Sequence, residues 1–226
     1  MRCKSGKFLP SAAMWGYVVS MFTGLIDNLG RVERLGPLGP GSSILRLGVR
    51  AADWLHVPMV GESIAVNGCC LTLAAPSGGG LLEFDVVQET LDKTSLGELK
   101  VGAMVHLEAS CTPSTLLGGH IVQGHVDGVG VVESVVESDA WRIRVRPPEE
   151  LMEFFTPKGS VAIEGVSLTL AAVDAAAGWF EVALIPTTLD KTQLGKLKAG
   201  SRVNLECDVL SKTIVHWLKN FGPGAK

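Results

Sequence analysis

The chain has little charge, little aromatic content and no long apolar run. Charged residues make up 19% of its 226 positions, below the roughly 25% usual for soluble domains. With 20 Lys plus Arg against 23 Asp plus Glu the net charge is -3, which offers no electrostatic attraction for nucleic acid or an anionic membrane. Gly, Pro or a charge interrupts every apolar stretch well short of the roughly 18 to 20 residues a membrane span needs. The cysteines, Cys3, Cys69, Cys70, Cys111 and Cys207, form neither a C-x-x-C pair nor a regular spacing. Neither a zinc ribbon nor a disulfide framework is indicated, and a reducing compartment fits. Also missing are G-x-x-x-x-G-K-[ST], a strand-coupled G-x-G-x-x-G, G-x-S-x-G and H-E-x-x-H. Nucleotide hydrolysis, Rossmann cofactor use, esterase and zincin chemistry therefore lack their usual marks.

What is present is apolar material for a core, 46% of the residues, together with 27 Gly and 11 Pro that point to many turns and short strands. The chain also repeats itself. Gly24, Asp27, Gly30, Val32 and Glu33 recur as Gly124, Asp127, Gly130, Val132 and Glu133. Gly68, Leu71, Thr72, Leu73 and Ala74 return as Gly165, Leu168, Thr169, Leu170 and Ala171. TLDKTSLGELK from Thr90 matches TLDKTQLGKLK from Thr188 at 9 of 11 positions. The order of the blocks is kept and their offset drifts only from 100 to 97 to 98, so the chain is a duplication of a unit of about a hundred residues.

Within each unit the pattern is that of β structure. VHLE and VNLE alternate, as do SIAVNG, RIRVR and GVGVV, with glycine-rich breaks between them. A hundred residues of short antiparallel strands must bury one face and manage their edges, which favours a closed barrel per half. Helical spacing is confined to a short piece over 148–155 and to the C-terminus. There Leu210, Ile214, Trp217, Leu218 and Phe221 form one stripe, with Asp208 as the start signal and Gly222-Pro223 as the stop. This all-β reading divides the chain into an extension (1–20), two barrels (21–118 and 119–209) and a tail helix (210–226). The tail stripe packs either on its own barrel or on a neighbouring subunit. The extension holds Arg2, Lys4 and Lys7 and no acidic residue. It reads as a dispensable upstream stretch or a short targeting segment, giving a cytoplasmic protein or, in the second case, a plastid one.

The repeat also picks out polar residues. In Cys70-Leu71-Thr72-Leu73 and Ser167-Leu168-Thr169-Leu170, strand alternation sends the leucines to one face and the Cys/Thr or Ser/Thr pair to the other. Cys70 in one copy replaces Ser167 in the other, so two similar pockets of unequal reactivity are expected. GGHIVQGHVDG holds the densest histidine cluster, His120 and His125. A spacing of five puts the two rings on opposite faces of a strand with no third ligand near, which argues against a metal. His125 stands where the first copy has Leu25, so it breaks the symmetry between the pockets, either as a proton shuttle or as a buried strand histidine. His56, His106 and His216 are expected at the surface.

Six blocks in order carry a family resemblance. Met21-Phe22-Thr23-Gly24, NGCCLTL from Asn67, ETLDKTSLG from Glu89, GGHIVQGHVDG from Gly118, EGVSLTL from Glu164 and IPTTLDKTQLG from Ile185 together resemble the alpha chain of the riboflavin synthase family, with its lumazine-binding repeats. The resemblance implies two tandem six-stranded Greek-key barrels and a C-terminal helix that holds a homotrimer. It implies dismutation of two 6,7-dimethyl-8-ribityllumazine molecules to riboflavin and 5-amino-6-ribitylaminouracil, without cofactor or metal. Association with lumazine synthase belongs to the same picture.

By motif, Gly24, Leu25, Ile26, Cys70, Leu71, Thr72, Asp85, Val86, Val87, Gln88, Glu89 and Thr90 are expected to line the first pocket. Gly124, His125, Val126, Lys158, Ser167, Leu168, Thr169, Leu184, Ile185, Pro186, Thr187, Thr188 and Leu189 are expected to line the second or the space they share. Cys70 and His125 are expected to supply catalytic polarity, Ser167 and Thr169 to assist proton removal or nucleophile delivery, and Phe22 to pack on the ligand rings. The chain departs from the family in two places: residues 109–117 carry no basic side chain, and twenty residues precede Met21.

Overall fold

A computed structural model describes residues 21–77, 79–137 and 141–223. The targeting reading of the first twenty residues falls outside them. Each half closes into an antiparallel barrel of six strands. The first contains β1 (Asn28–Pro37), β2 (Leu45–Arg50), β3 (Ser63–Val66), β4 (Cys69–Ser77), β5 (Leu81–Val86) and β6 (Met104–Ala109). The second contains β7 (Gly128–Val136), β8 (Trp141–Arg146), β9 (Ser160–Ile163), β10 (Val166–Asp174), β11 (Trp179–Leu184) and β12 (Arg202–Cys207). Around the first barrel the order is β1-β2-β5-β4-β3-β6, and the second repeats it with the equivalent strands. Register shifts fall at matching places, between Val32 and Arg34 and between Leu73 and Ala75 in one barrel, between Val132 and Ser134 and between Leu170 and Ala172 in the other. Such bulges sharpen strand bend and twist, which a six-stranded sheet needs in order to close.

Alternation fills each barrel. Leu47, Val49, Ile64, Leu73, Phe84 and Leu107 form the first interior, and Ile143, Val145, Val161, Leu170, Phe180 and Leu205 the second. The duplicated TLDKT blocks, to which the sequence pattern assigned no helix, form one short helix apiece, α1 (Gln88–Lys93) and α2 (Pro186–Lys191). Residues Glu149–Phe154 make a 3-10 turn whose Leu151 and Met152 plug the second barrel. The tail helix α3 (Val209–Phe221) starts where the sequence signalled. Asp208 Oδ1 accepts the Leu210 amide, and Gly222 closes the other end by donating to Leu218 O. Its apolar stripe lies open, with Leu210, Ile214, Trp217, Leu218 and Phe221 between 53% and 68% exposed. Packing of that stripe on its own barrel is thus excluded; a Lys219 to Glu153 ion pair of 2.5 Å tethers the helix by its polar side.

The barrels meet about a pseudo-twofold axis. Phe22 and Val122 exchange backbone hydrogen bonds there, and with Ala65 and Ala162 they form a small dry cluster of their own. No helix among the described residues is long and apolar enough to cross a membrane.

Candidate active site: two exchanged pockets

The stretch leading into each barrel crosses to the other one. Gly24 O accepts the Ser167 amide of the second barrel at 2.8 Å, and Gly124 O accepts the Cys70 amide of the first at 2.8 Å. Ile26 packs on the second core and Val126 on the first. The grouping carried over from the family motifs is corrected accordingly. Gly24, Leu25 and Ile26 join Ser167, Leu168 and Thr169, while Gly124, His125 and Val126 join Cys70, Leu71 and Thr72. A repeat identifies equivalent residues; it does not say on which copy a crossing segment lands.

Two glycines permit the crossing. Gly24 and Gly124 have φ of +75° and +76°, and a Cβ on either would stand 2.5 Å from Ser167 Cβ or 2.6 Å from Cys70 Cβ. Only glycine tolerates both the left-handed backbone and the close approach. Buried carboxylates fix the crossing chain. Glu108 accepts the Thr23 amide at 2.6 Å, the Thr23 hydroxyl at 2.8 Å and the Gly24 amide at 3.1 Å. Glu206 accepts the Gln123, Gly124 and His125 amides at 2.7, 2.9 and 3.1 Å. Burial pushes both carboxyls up to about 7, against the downward pull of these donors.

The open ends of the two barrels correspond. In each, the last registered pair toward the junction is Leu73 with Phe84 or Leu170 with Val182, although both strands of each pair run further. Backbone groups around Leu71 and Val86, and around Leu168 and Leu184, thus flank the mouth of each barrel, next to α1 and α2. Thr72 and Thr169 are exposed and Cys70 and Ser167 half-buried, as alternation requires, with Leu71 and Leu168 turned inward. Val87 and Ile185 are exposed apolar residues at the helix starts, 50% and 63%. Gln88, Glu89, Pro186 and Thr187 are exposed beside them, while Thr90, Thr188 and Leu189 are half-buried. Asp85 is held by Arg46 at 2.5 Å on the outer wall. Lys158 occupies an exposed turn with φ of +67°, its amide donating to Leu170 O, which sets it beside Thr169.

Three other expectations are corrected. Phe22 is fully buried between the barrels, where it packs on Ala65, Val122 and Ala162 and supports Gly124 from beneath, so no ring face is open to a ligand. His120 and His125 are not on a strand, because only Val122 of that stretch forms a bridge, and His125 is exposed with its amide held by Glu206. That rules out a buried strand histidine. His106 is buried, not superficial. Its Nδ1–H donates to Glu164 O at 2.8 Å and its Nε2 accepts the Gln193 amide at 2.8 Å, and burial pulls the ring down to about 4. His56 and His216 are exposed as expected.

One contact has no sequence signal beyond the histidine cluster itself: His120 Nδ1 lies 2.7 Å from Ser167 Oγ. Among the described residues no group of His, Cys, Asp and Glu is arranged to hold a metal, and Cys69, Cys70, Cys111 and Cys207 are free thiols.

A duplicated barrel, each copy completed by a segment that crosses from the other, defines a class. The lumazine binding domain profile matches residues 23–110 and again 123–208. The crystal structure of LumP complexed with 6,7-dimethyl-8-(1'-D-ribityl)lumazine has the same fold, with a TM-score of 0.71 and 26% identity over 82% of this chain and 98% of LumP. LumP complexed with riboflavin gives a TM-score of 0.72 at 28% identity. The riboflavin synthase of Mycobacterium tuberculosis (strain ATCC 25618 / H37Rv) is 40% identical over 205 residues, spanning 89% of this chain and all of the relative. That of Actinobacillus pleuropneumoniae is 38% identical over 200 residues, 88% of this chain and 90% of the relative. The chain belongs to the riboflavin synthase family of lumazine-binding-domain proteins.

Proposed function

We propose that this chain is a transferase that dismutates two molecules of 6,7-dimethyl-8-ribityllumazine, giving riboflavin and 5-amino-6-ribitylaminouracil by transfer of four carbons. The observation that carries the reading is the doubled site: Cys70 and Thr72 at one barrel mouth, Ser167 and Thr169 at the other, each completed by a segment that crosses from the opposite half.

One substrate gives carbon to its twin, so the reaction needs two pockets of the same shape with different polarity. Confining both partners replaces a bimolecular encounter, an effect that reaches roughly 7 to 11 kcal/mol in well-oriented systems. The C7 methyl of the lumazine is acidic because its anion delocalises into the ring. Removing that proton creates the carbon nucleophile that attacks the second molecule. The backbone groups flanking each mouth suit the pyrimidinedione edge, and Thr72, Thr169 and Lys158 suit the ribityl hydroxyls. The exposed His125 and the Ser167 hydroxyl are the groups suited to proton transfer.

The open stripe of α3 supports a homotrimer in which the first barrel of one subunit faces the second barrel of the next, so that each reaction takes place between chains. Association with lumazine synthase, as the source of substrate, belongs to the same reading.

The test is to incubate the purified chain with 6,7-dimethyl-8-ribityllumazine in metal-free buffer and follow both products. One riboflavin for two lumazines consumed is the expected result. Ligand bound and returned unchanged would instead make it a carrier of the LumP kind.

A further inference from the structure

Two lysines of α3, seven residues apart and so on one face of the helix, tie it to the second barrel on the side opposite the open stripe. Lys219 reaches Glu153, on the exposed side of a 3-10 turn. Lys212 reaches Asp127, its Nζ 2.9 Å from Oδ1 and 3.0 Å from Oδ2. Both partners of the second pair are largely shielded, 23% and 21% exposed, so salt screens it less than an open pair. Asp127 is also the residue that follows the second crossing segment. Its amide donates to Leu205 O at 2.8 Å and its Oδ2 accepts the Cys207 amide at 2.8 Å.

Two carboxylates thus hold that segment, Glu206 by the amides of Gln123, Gly124 and His125 and Asp127 at its end. Their charges repel, and the Lys212 ammonium offsets the repulsion. Burial is the largest influence on the Glu206 carboxyl and raises it, while Lys212 is among those that pull it back.

The first copy has the carboxylates without the cation. Asp27 accepts the Ala109 amide at 2.8 Å and Glu108 holds Thr23 and Gly24, but Asp27 forms no ion pair among the described residues. The offset of 98 that aligns β6 with β12 sets Ser114 against Lys212, in the stretch 109–117 that carries no basic side chain. The lysine therefore restrains one crossing segment of the two, the one that lands on the first barrel. There Gly124 O accepts the Cys70 amide and Val126 packs on the core.

We infer that Lys212 is a positioning residue that couples the seat of α3 to this segment, so that the helix bearing the oligomer stripe also fixes Gly124, His125 and Val126 over the first pocket. Its bearing on turnover rests on the function proposed above; the coupling itself is read without turnover.

The experiment labels the isoleucine and valine methyl groups of the full chain and compares it with Lys212→Met and Lys212→Arg by NMR. The same substitutions are made in a Trp217→Glu/Leu218→Glu background, which alters the stripe alone. Ile26 and Val126 stand at equivalent places on the two crossing segments, so Ile26 is the internal control. Lys212→Met is expected to shift the Val126 signals and leave those of Ile26 in place, in both backgrounds, because the contact lies within one chain. Lys212→Arg, which keeps a cation within reach of both Asp127 oxygens, is expected to restore them. On titration with 6,7-dimethyl-8-ribityllumazine, the affinity read at Val126 is expected to weaken about two- to fivefold in Lys212→Met, the range a single ion pair supplies, with that read at Ile26 unchanged.

Val126 and Ile26 shifting together would overturn the inference, because that is general loosening. So would unmoved Val126 signals, a Lys212→Arg chain that behaves as Lys212→Met, or a shift seen only in the parent background, which would put the effect in the assembly. A parent chain that binds the lumazine at both segments and makes no riboflavin would overturn the proposed function and leave the coupling standing.

Discussion

His106 and Asn204 occupy the same place in the two barrels and make the same pair of bonds across the junction. Where His106 donates to Glu164 O and accepts the Gln193 amide, Asn204 donates to Asn67 O at 2.9 Å and accepts the Ser95 amide at 2.6 Å. The second copy thus records which other residue the position accepts. His106→Asn is expected to fold, with a small loss near neutral pH.

The pH dependence of that variant follows from the buried ring. The folded chain holds His106 neutral down to about 4, whereas the ring of the unfolded chain takes up a proton near 6.5. The contribution of the neutral ring to stability is complete above 6.5 and is lost as pH falls through about 4. Asparagine does not titrate. The parent chain should therefore lose ground to His106→Asn as pH falls across that window, measured as the difference between their Tm values; a constant difference would contradict the burial of the ring.

Glu108, Glu164 and Glu206 act with the opposite sign. Burial raises each from 4.5 to about 7, so the folded chain keeps protons that the unfolded chain has released. Their contribution is complete below 4.5 and is lost as pH rises through about 7. Tm should fall over that interval, with His106 opposing the fall up to about pH 6.5 and no further. Glu108→Gln/Glu206→Gln should be less stable, since an amide NH2 is set against backbone N–H donors, yet its Tm should vary less with pH.

The crossing segments predict a crosswise phenotype. Gly24→Ala and Gly124→Ala each place a methyl where no space exists on a left-handed backbone. Each should cost about 1–3 kcal/mol in denaturant unfolding. Gly24→Ala should disturb ligand contacts at Ser167, in the second barrel, and Gly124→Ala those at Cys70, in the first, as read by chemical-shift changes on titrating the lumazine.

Phe22 is a plug in the junction, which is a different role from a platform for the ligand. Phe22→Ala should lose about 3–5 kcal/mol of unfolding free energy, the usual cost of emptying a buried aromatic site. Phe22→Leu should restore most of it. A Phe22→Ala chain with parental stability and altered KM alone would return the residue to the ligand.

The proposed trimer predicts that Trp217→Glu/Leu218→Glu, on the open stripe of α3, gives monomers in sedimentation velocity. Turnover should fall with the trimer, while each monomer still binds lumazine and keeps its barrel Tm.

Much of the fold was legible because its signals are local. Period-two alternation in VHLE, VNLE and RIRVR marked strands, Asp208 and Gly222 marked the ends of α3, and the equivalence of Cys70 with Ser167 followed from aligning the copies. The helices α1 and α2 leave no such signal, because six residues carry too little periodicity to stand out. Nothing in the alternating neighbours of His106 marks this barrel wall as covered by the other barrel, so the local pattern puts the ring outside.

The amino-acid sequence by itself determined a duplicated, twin-barrel chain with paired polar positions, since repeats and side-chain alternation are properties of neighbouring residues. Tertiary structure alone decided that the leading segments cross over, that Phe22 is sealed in the junction, and that Ser167 meets His120 and not His125. Those contacts join residues from 47 positions apart, His120 with Ser167, to 143, Gly24 with Ser167. Which of them form depends on how two closed barrels turn about their shared axis, and no local pattern carries that information.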